Sequence, residues 1–188
     1  MKRLTSLALF ASLLGLSSSL AAQEITFKRT ILDRKFRSEG VAVGDVNKDG
    51  KLDVIAGYVW YEAPDWKMHS IIEQAPDVDP NGYSNSFCTF ARDLNGDGWV
   101  DVIVVDFPGT PTWWFENPQG KEGPWKRHTL IEVTNNESPA IVDLDGDGKP
   151  ELICATNDDK ANPDSDGRYQ CIARPSSDPT ALWTITPI

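Results

Sequence analysis

The sequence predicts an all-β fold, a β-propeller of four-stranded blades, from three observations. An acidic nonapeptide recurs three times at nearly constant spacing. Short apolar runs rich in β-branched residues flank every copy, as strands require. Beyond the N-terminal segment no apolar period near that of a helix occurs.

The first element is not part of that fold. The chain opens MKRLTSLALFASLLGLSSSLAAQE, with Lys2 and Arg3 before an apolar run from Leu4 to Leu16 and small residues around Ser19-Leu20-Ala21. This is the pattern of a secretory signal peptide over residues 1–21, which places residues 22–188 outside the cytoplasm, secreted or periplasmic. No segment reaches the ~20 apolar residues of a membrane-spanning helix. The whole chain carries a net charge of −10, and loss of Lys2 and Arg3 makes it −12. Nucleic acid is therefore excluded as a partner, because phosphate recognition needs a basic face. Cys88, Cys154 and Cys171 have no Cys-x-x-Cys spacing, which excludes thiolate metal sites and redox motifs. Cys154 and Cys171 are the pair best placed for a single disulfide, with buried free thiols as the alternative.

The repeated nonapeptides are DVNKDGKLD, DLNGDGWVD and DLDGDGKPE, starting at residues 45, 93 and 143, so 48 and 50 residues apart. That is the period of a propeller blade. A first strand precedes each copy (GVAVG 40–44, CTFAR 88–92, PAIV 139–142) and a second follows it (VIAG 54–57, VIVVD 102–106, LICAT 152–156). The third strand is aromatic and runs into proline: WYEAP 60–64, WFENP 114–118 and a divergent CIARP 171–175. The fourth is WKMHSII 66–72, WKRHTLI 125–131 and WTITPI 183–188. The blades span about 40–72, 86–131 and 138–188, and ITFKRTIL at 25–32 reads as an orphan outer strand. Three blades cannot close a ring without leaving edges and apolar faces bare. Blades from a longer chain, making a ring of about seven, or self-association are expected to complete it.

The repeated acids have the spacing of a cation loop. Aspartate or asparagine at positions 1, 3 and 5, a turn glycine at 6, a carbonyl at 7 and an acid at 9 can converge on hard Ca²⁺, which takes 6–8 oxygens at about 2.3–2.6 Å. The ligand sets are Asp45, Asn47, Asp49, Asp53 with the Lys51 carbonyl; Asp93, Asn95, Asp97, Asp101 with the Trp99 carbonyl; and Asp143, Asp145, Asp147, Glu151 with the Lys149 carbonyl. About three Ca²⁺ are expected, one per loop. Charge count favours the third loop, whereas the longer Glu151 and the stiff Pro150 oppose it. An EF-hand does not fit, since position 12 is Ala56, Val104 or Cys154 and strands flank the loops.

DVNKDGKLDVIAG, DLNGDGWVDVIVV and DLDGDGKPELICA resemble FG-GAP/VCBS-type repeats, the calcium-loop blades of integrin α-subunit propellers and of many exported bacterial proteins. The resemblance implies that each loop joins the first and second strands of a blade. In the third copy Cys171 stands for the tryptophan and Glu151 for the ninth-position aspartate.

The loops between second and third strands lengthen along the chain, through DFPGTPT (106–112) and NDDKANPDSDGR (157–168), on the face opposite the acidic loops. Arg37, Ser38, Glu39, Asn85, Ser86, Asn135, Asn136 and Glu137 open on that face. Their functional reading is a ligand surface and their structural reading is solvated connections. His69 and His128 share one repeat position on the outermost strand, as do Trp60 and Trp114, and Trp66 and Trp125, on theirs, so packing explains them. Trp99 and Trp113 do not recur and are surface candidates. The expected function is an exported, calcium-binding propeller that binds a protein or polysaccharide. The alternative is the scaffold of a carbohydrate-active lyase, dehydratase or hydrolase with Glu39 or Glu137 as acid/base groups.

Overall fold

The computed structural model describes residues 25–135, 138–157 and 168–188. The signal-peptide segment 1–21, Asn136, Glu137 and residues 158–167 of the third insertion lie outside the described residues. Twelve strands form three separate four-stranded antiparallel sheets, each in sequence order, and the described residues contain no helix.

The first sheet is β1 (Val41–Gly44), β2 (Asp53–Ala56), β3 (Val59–Glu62) and β4 (Lys67–Ser70). The second is β5 (Cys88–Arg92), β6 (Asp101–Val105), β7 (Thr110–Glu116) and β8 (Lys126–Thr134). The third is β9 (Ala140–Val142), β10 (Glu151–Asn157), β11 (Arg168–Arg174) and β12 (Thr184–Pro187). All twelve repeat segments are therefore strands. The DFPGTPT insertion is partly absorbed by β7, which starts at Thr110 and pairs with β8 through a bulge at Thr112.

The second sheet lies between the other two, and β6 shows how. It is buried at every position, with Val102 and Val104 facing the first sheet's Ile55, Trp60 and Ile71 while Ile103 and Val105 face Leu152, Cys154 and Ala173 of the third. A strand covered on both sides must be apolar throughout, which is why DVIVV lacks the alternation of a half-exposed strand. Two backbone bonds repeat in phase across these seams. The N–H of Trp125 donates to the Ile71 carbonyl and that of Trp183 to the Leu130 carbonyl, both at 2.8 Å.

Two expectations are corrected. Residues 25–32 form no strand, and Ile25 and Phe27 are 77% and 92% exposed. The chain divides at Thr30, and the segment that follows is held by side chains instead of a strand ladder. Asp33 accepts from the backbone N–H of Arg34 and Lys35, from Arg37 Nε at 2.8 Å and from the Tyr61 hydroxyl at 3.0 Å. Burial opposes its charge, but these four donors outweigh burial and hold the Asp33 carboxyl well below the usual carboxylate range.

The second correction concerns Cys171. Trp60 pairs with Ile55 and Trp114 with Ile103, but the residue opposite Ile153 is Ile172. The tryptophan position is thus filled by Ile172, and Cys171 faces the second sheet. The reason is one residue fewer between strand and proline: Glu62 and Glu116 precede Ala63-Pro64 and Asn117-Pro118, whereas Arg174 precedes Pro175 directly. Cys171 then lies opposite Cys154, with sulfurs 3.5 Å apart and both side chains buried as free thiols. The shared S–H contact and burial keep the Cys154 thiol protonated.

Candidate functional site: three acidic loops

The loops between β1 and β2, β5 and β6, and β9 and β10 share one set of hydrogen bonds. The position-1 carboxylate accepts the N–H of the position-6 glycine: Asp45 from Gly50 at 2.9 Å, Asp93 from Gly98 at 2.7 Å and Asp143 from Gly148 at 3.0 Å. The position-5 carboxylate accepts the N–H of position 7: Asp49 from Lys51 at 2.9 Å, Asp97 from Trp99 at 2.8 Å and Asp147 from Lys149 at 2.8 Å. Such side-chain turns wind each loop around its own acids. The position-6 glycines all have positive φ (85°, 82° and 87°), the conformation that makes glycine the residue of choice there.

Position 4 also needs positive φ, a demand the sequence spacing did not reveal. Gly96 and Gly146 meet it freely, while in the first loop Lys48 adopts φ 60°. Lys48 also places its ammonium 4.6 Å from the centre of the Trp99 ring, tying the first loop to the second. Trp99 is thereby engaged between loops.

The position-9 acids differ from the rest because they are buried: Asp53 and Asp101 at 0% and Glu151 at 2% exposure. Each accepts the N–H of position 2, from Val46, Leu94 and Leu144, at 2.9, 3.0 and 2.7 Å. Asp53 and Asp101 use their second oxygen on the residue after β3 and β7, Ala63 and Asn117, both at 2.8 Å. Burial raises the Asp101 carboxyl to about 7 against the pull of those two donors. Glu151 has no such second bond, because its counterpart donor is Pro175, which lacks an N–H. An oxygen of Glu151 is left with Asp143 and Asp145, and one oxygen from each of the three lies within 4.8 Å of the others. Oxygens bound to a common Ca²⁺ at ~2.3–2.6 Å are at most ~5 Å apart, so this group can hold such an ion.

Two of the position-3 residues reach the third strand of their own sheet, while Asn95 Nδ2 donates to Asp97 within its loop at 3.1 Å. Asn47 Nδ2 donates to Glu62 at 3.1 Å, and the Asp145 carboxylate lies 3.9 Å from Arg174 Nε. Arg174 occupies the register position of Glu62 and Glu116, so the extra acid of the third loop meets a cation where the other sheets have an anion.

The histidines pack as the repeat suggested. His69 lies opposite Trp60, stacks on it at 4.2 Å and meets Glu62 at 2.8 Å; His128 does the same with Trp114 at 4.4 Å and Glu116 at 3.0 Å. Thr186 takes that place opposite Ile172.

At the opposite end of the sheets the polar residues are mostly spent within the protein. The Glu39 carboxylate accepts both the N–H and the hydroxyl of Ser84, Ser38 Oγ donates to the Gly40 carbonyl at 2.7 Å, and the Asn85 carbonyl accepts from the Tyr58 hydroxyl at 2.8 Å. Ser86 is buried, and Asn135 is bonded to Asn157 and to the Ala155 carbonyl.

A search of curated proteins finds no match to this chain. The model of the FG-GAP-like repeat matches residues 93–154, from the first aspartate of the second loop to the middle of β10. Residues 93–154 thus carry an FG-GAP-like repeat, and the three sheets of one strand order and three loops of one bonding pattern repeat its architecture along the chain.

Proposed function

We propose that this chain is an exported, calcium-binding β-propeller module that binds a protein or polysaccharide and carries out no chemistry of its own. One observation carries the reading: all three loops wind around their position-1 and position-5 carboxylates with the same side-chain turns, and in the third loop oxygens of Asp143, Asp145 and Glu151 come together, while in the first Lys51 Nζ rests on Asp49 at 2.7 Å in the place a metal would compete for. Oxygen-only donor sets of this kind suit Ca²⁺ over softer metals. The ligands are those named from the sequence, and bound Ca²⁺ offsets the repulsion among the acids of each loop.

The sheets act as blades of a ring of about seven, completed by further blades of a longer chain or by other copies. Ala42 packs toward the second sheet, so Val41 and Val43, 65% and 60% exposed, face away from it, as a blade awaiting a neighbour would have them. The enzyme alternative gains no support from Glu39, whose carboxylate holds Ser84.

Thermal unfolding with and without a calcium chelator tests the reading. Metal bound only by the folded state stabilises it by ~2.7 kcal/mol per site at 100 times the dissociation constant. A fall in midpoint of many degrees on chelation is expected, and an unchanged midpoint refutes calcium as the structural ion.

A further inference from the structure

A cleft lies between the first two sheets at the end away from the acidic loops. The β2–β3 turn, the linker from β4 to β5, Asp106 after β6, Trp113 and Phe115 of β7 and Arg127 of β8 enclose about 490 Å³ there, within the ~300–1,000 Å³ of small-ligand sites.

Its walls combine ring faces with a matched acceptor and donor. Tyr58, Trp113 and Phe115 supply the aromatic surface, with Tyr58 set edge-on to Phe115 at 5.7 Å. Asp106 is only 7% exposed and is fixed by two donors, the Phe107 N–H at 2.6 Å and Trp113 Nε1 at 3.1 Å. Each carboxylate oxygen keeps a further lone pair. Arg127 lies over Trp113, its guanidinium carbon 4.3 Å from the ring centre, and its side chain has no hydrogen bond or ion pair among the described residues. Beside the cleft Tyr83 and Phe107, 71% and 41% exposed, lean on the buried Phe87 at 5.6 and 5.2 Å. Exposed aromatics braced in this way form a rigid apolar platform of the kind that marks a binding surface.

Charge narrows the ligand. An ammonium ligand would compete with Arg127 for the aromatic wall. An acidic ligand would meet Asp77 and Asp79 on the cleft lining as well as Asp106. A purely apolar ligand would desolvate the Arg127 guanidinium without offering it an acceptor. A sugar satisfies all three conditions, because its C–H face stacks on rings while adjacent hydroxyls donate to a carboxylate and accept from a guanidinium.

We infer that this cleft binds a neutral glycan, one ring against Tyr58 beside the Arg127-covered Trp113, with hydroxyls on Asp106 and Arg127, and a neighbouring unit on Tyr83. The inference rests on the interaction-module reading and names its ligand class. Burial also pushes the Asp106 carboxyl up, consistent with a group kept dry for a directed hydrogen bond.

The test is calorimetric titration of the full exported chain in calcium with cellohexaose, xylohexaose and mannohexaose, and with a galacturonate hexamer for comparison. At least one neutral hexaose is expected to bind saturably, with Tyr83→Ala and Arg127→Met each weakening it about tenfold. Both side chains are exposed, so the thermal midpoints of the variants should match the wild type. Absence of binding by every neutral hexaose, wild-type affinity in both variants, or tighter binding of the acidic hexamer overturns the inference. The chelator-induced fall in midpoint, measured on the same samples, separates the two proposals. If that fall persists without sugar binding, only the glycan site is lost; sugar binding without the fall removes the calcium reading and keeps the cleft.

Discussion

The second and third sheets have the same strand order and the same loop, yet differ at two linked places. In the second, Trp114 is buried opposite Ile103 and stacked on His128, and Asp101 accepts from both Leu94 and Asn117. In the third, half-buried Ile172 and exposed Thr186 replace that stack, and Glu151 accepts from Leu144 alone. Both differences trace to Arg174 being followed directly by Pro175. One residue fewer shifts the strand register against its proline and puts a residue without an N–H where the loop acid needs a donor. A sheet face and an acidic loop some strands apart are therefore set by the same short segment.

The largest expected effect comes from the tryptophan position. Trp114→Ala should cost ~3–5 kcal/mol, because the side chain is fully buried between two sheets. Ile172→Ala, at the matching place in a half-buried face, should cost only about 1 kcal/mol. Urea denaturation of both variants reads the difference, and equal costs would mean that the sheets are covered alike.

Next is the loop acid. Pro175→Ala returns an N–H to the position from which Ala63 and Asn117 donate, so it should draw an oxygen of Glu151 away from Asp143 and Asp145. Calcium affinity of the third loop should fall about tenfold, the effect of ~1.4 kcal/mol, with the other two loops unchanged by calorimetry. An unchanged third step would show that the missing donor is irrelevant to the metal.

A smaller effect is confined to the first sheet, where Asp33 ties the leading segment to Arg37 and Tyr61. Its folded-state pKa is depressed, so the stability it contributes is present above the unfolded value of ~3.9 and is lost as pH falls through the folded value. Asp33→Asn should lower stability at neutral pH, and its deficit against the wild type should shrink in acid. A deficit independent of pH would assign the effect to packing.

Most of this organisation was legible because the repeat was. Acids at fixed intervals, β-branched runs and recurring Trp–His positions each reported a physical requirement at the residue that met it, and all twelve strands follow from them. The third sheet's register was not legible, since the prolines align 60–64 with 171–175 while the strands pair one residue along. Hydrogen bonding and packing set strand register, and an anchor residue beyond the strand does not report it. Segment 25–32 misled for a related reason: its β-rich composition matches a strand, but a strand needs a partner edge, and Asp33 and Arg37 anchor the chain by other means. The positive φ of Lys48 and the repeated Trp125 and Trp183 backbone bonds leave no mark in residue type at all.

Under the proposed function each of the three acidic loops binds one calcium ion, and the third, where an oxygen of Glu151 lies with Asp143 and Asp145, binds first. Native mass spectrometry during a calcium titration of the wild type, Asp97→Ala and Asp147→Ala measures this directly. About three ions per chain are expected, one per oxygen loop, with the tightest step lost in Asp147→Ala and kept in Asp97→Ala. Fewer ions in the wild type, or a tightest step that survives Asp147→Ala, would contradict it.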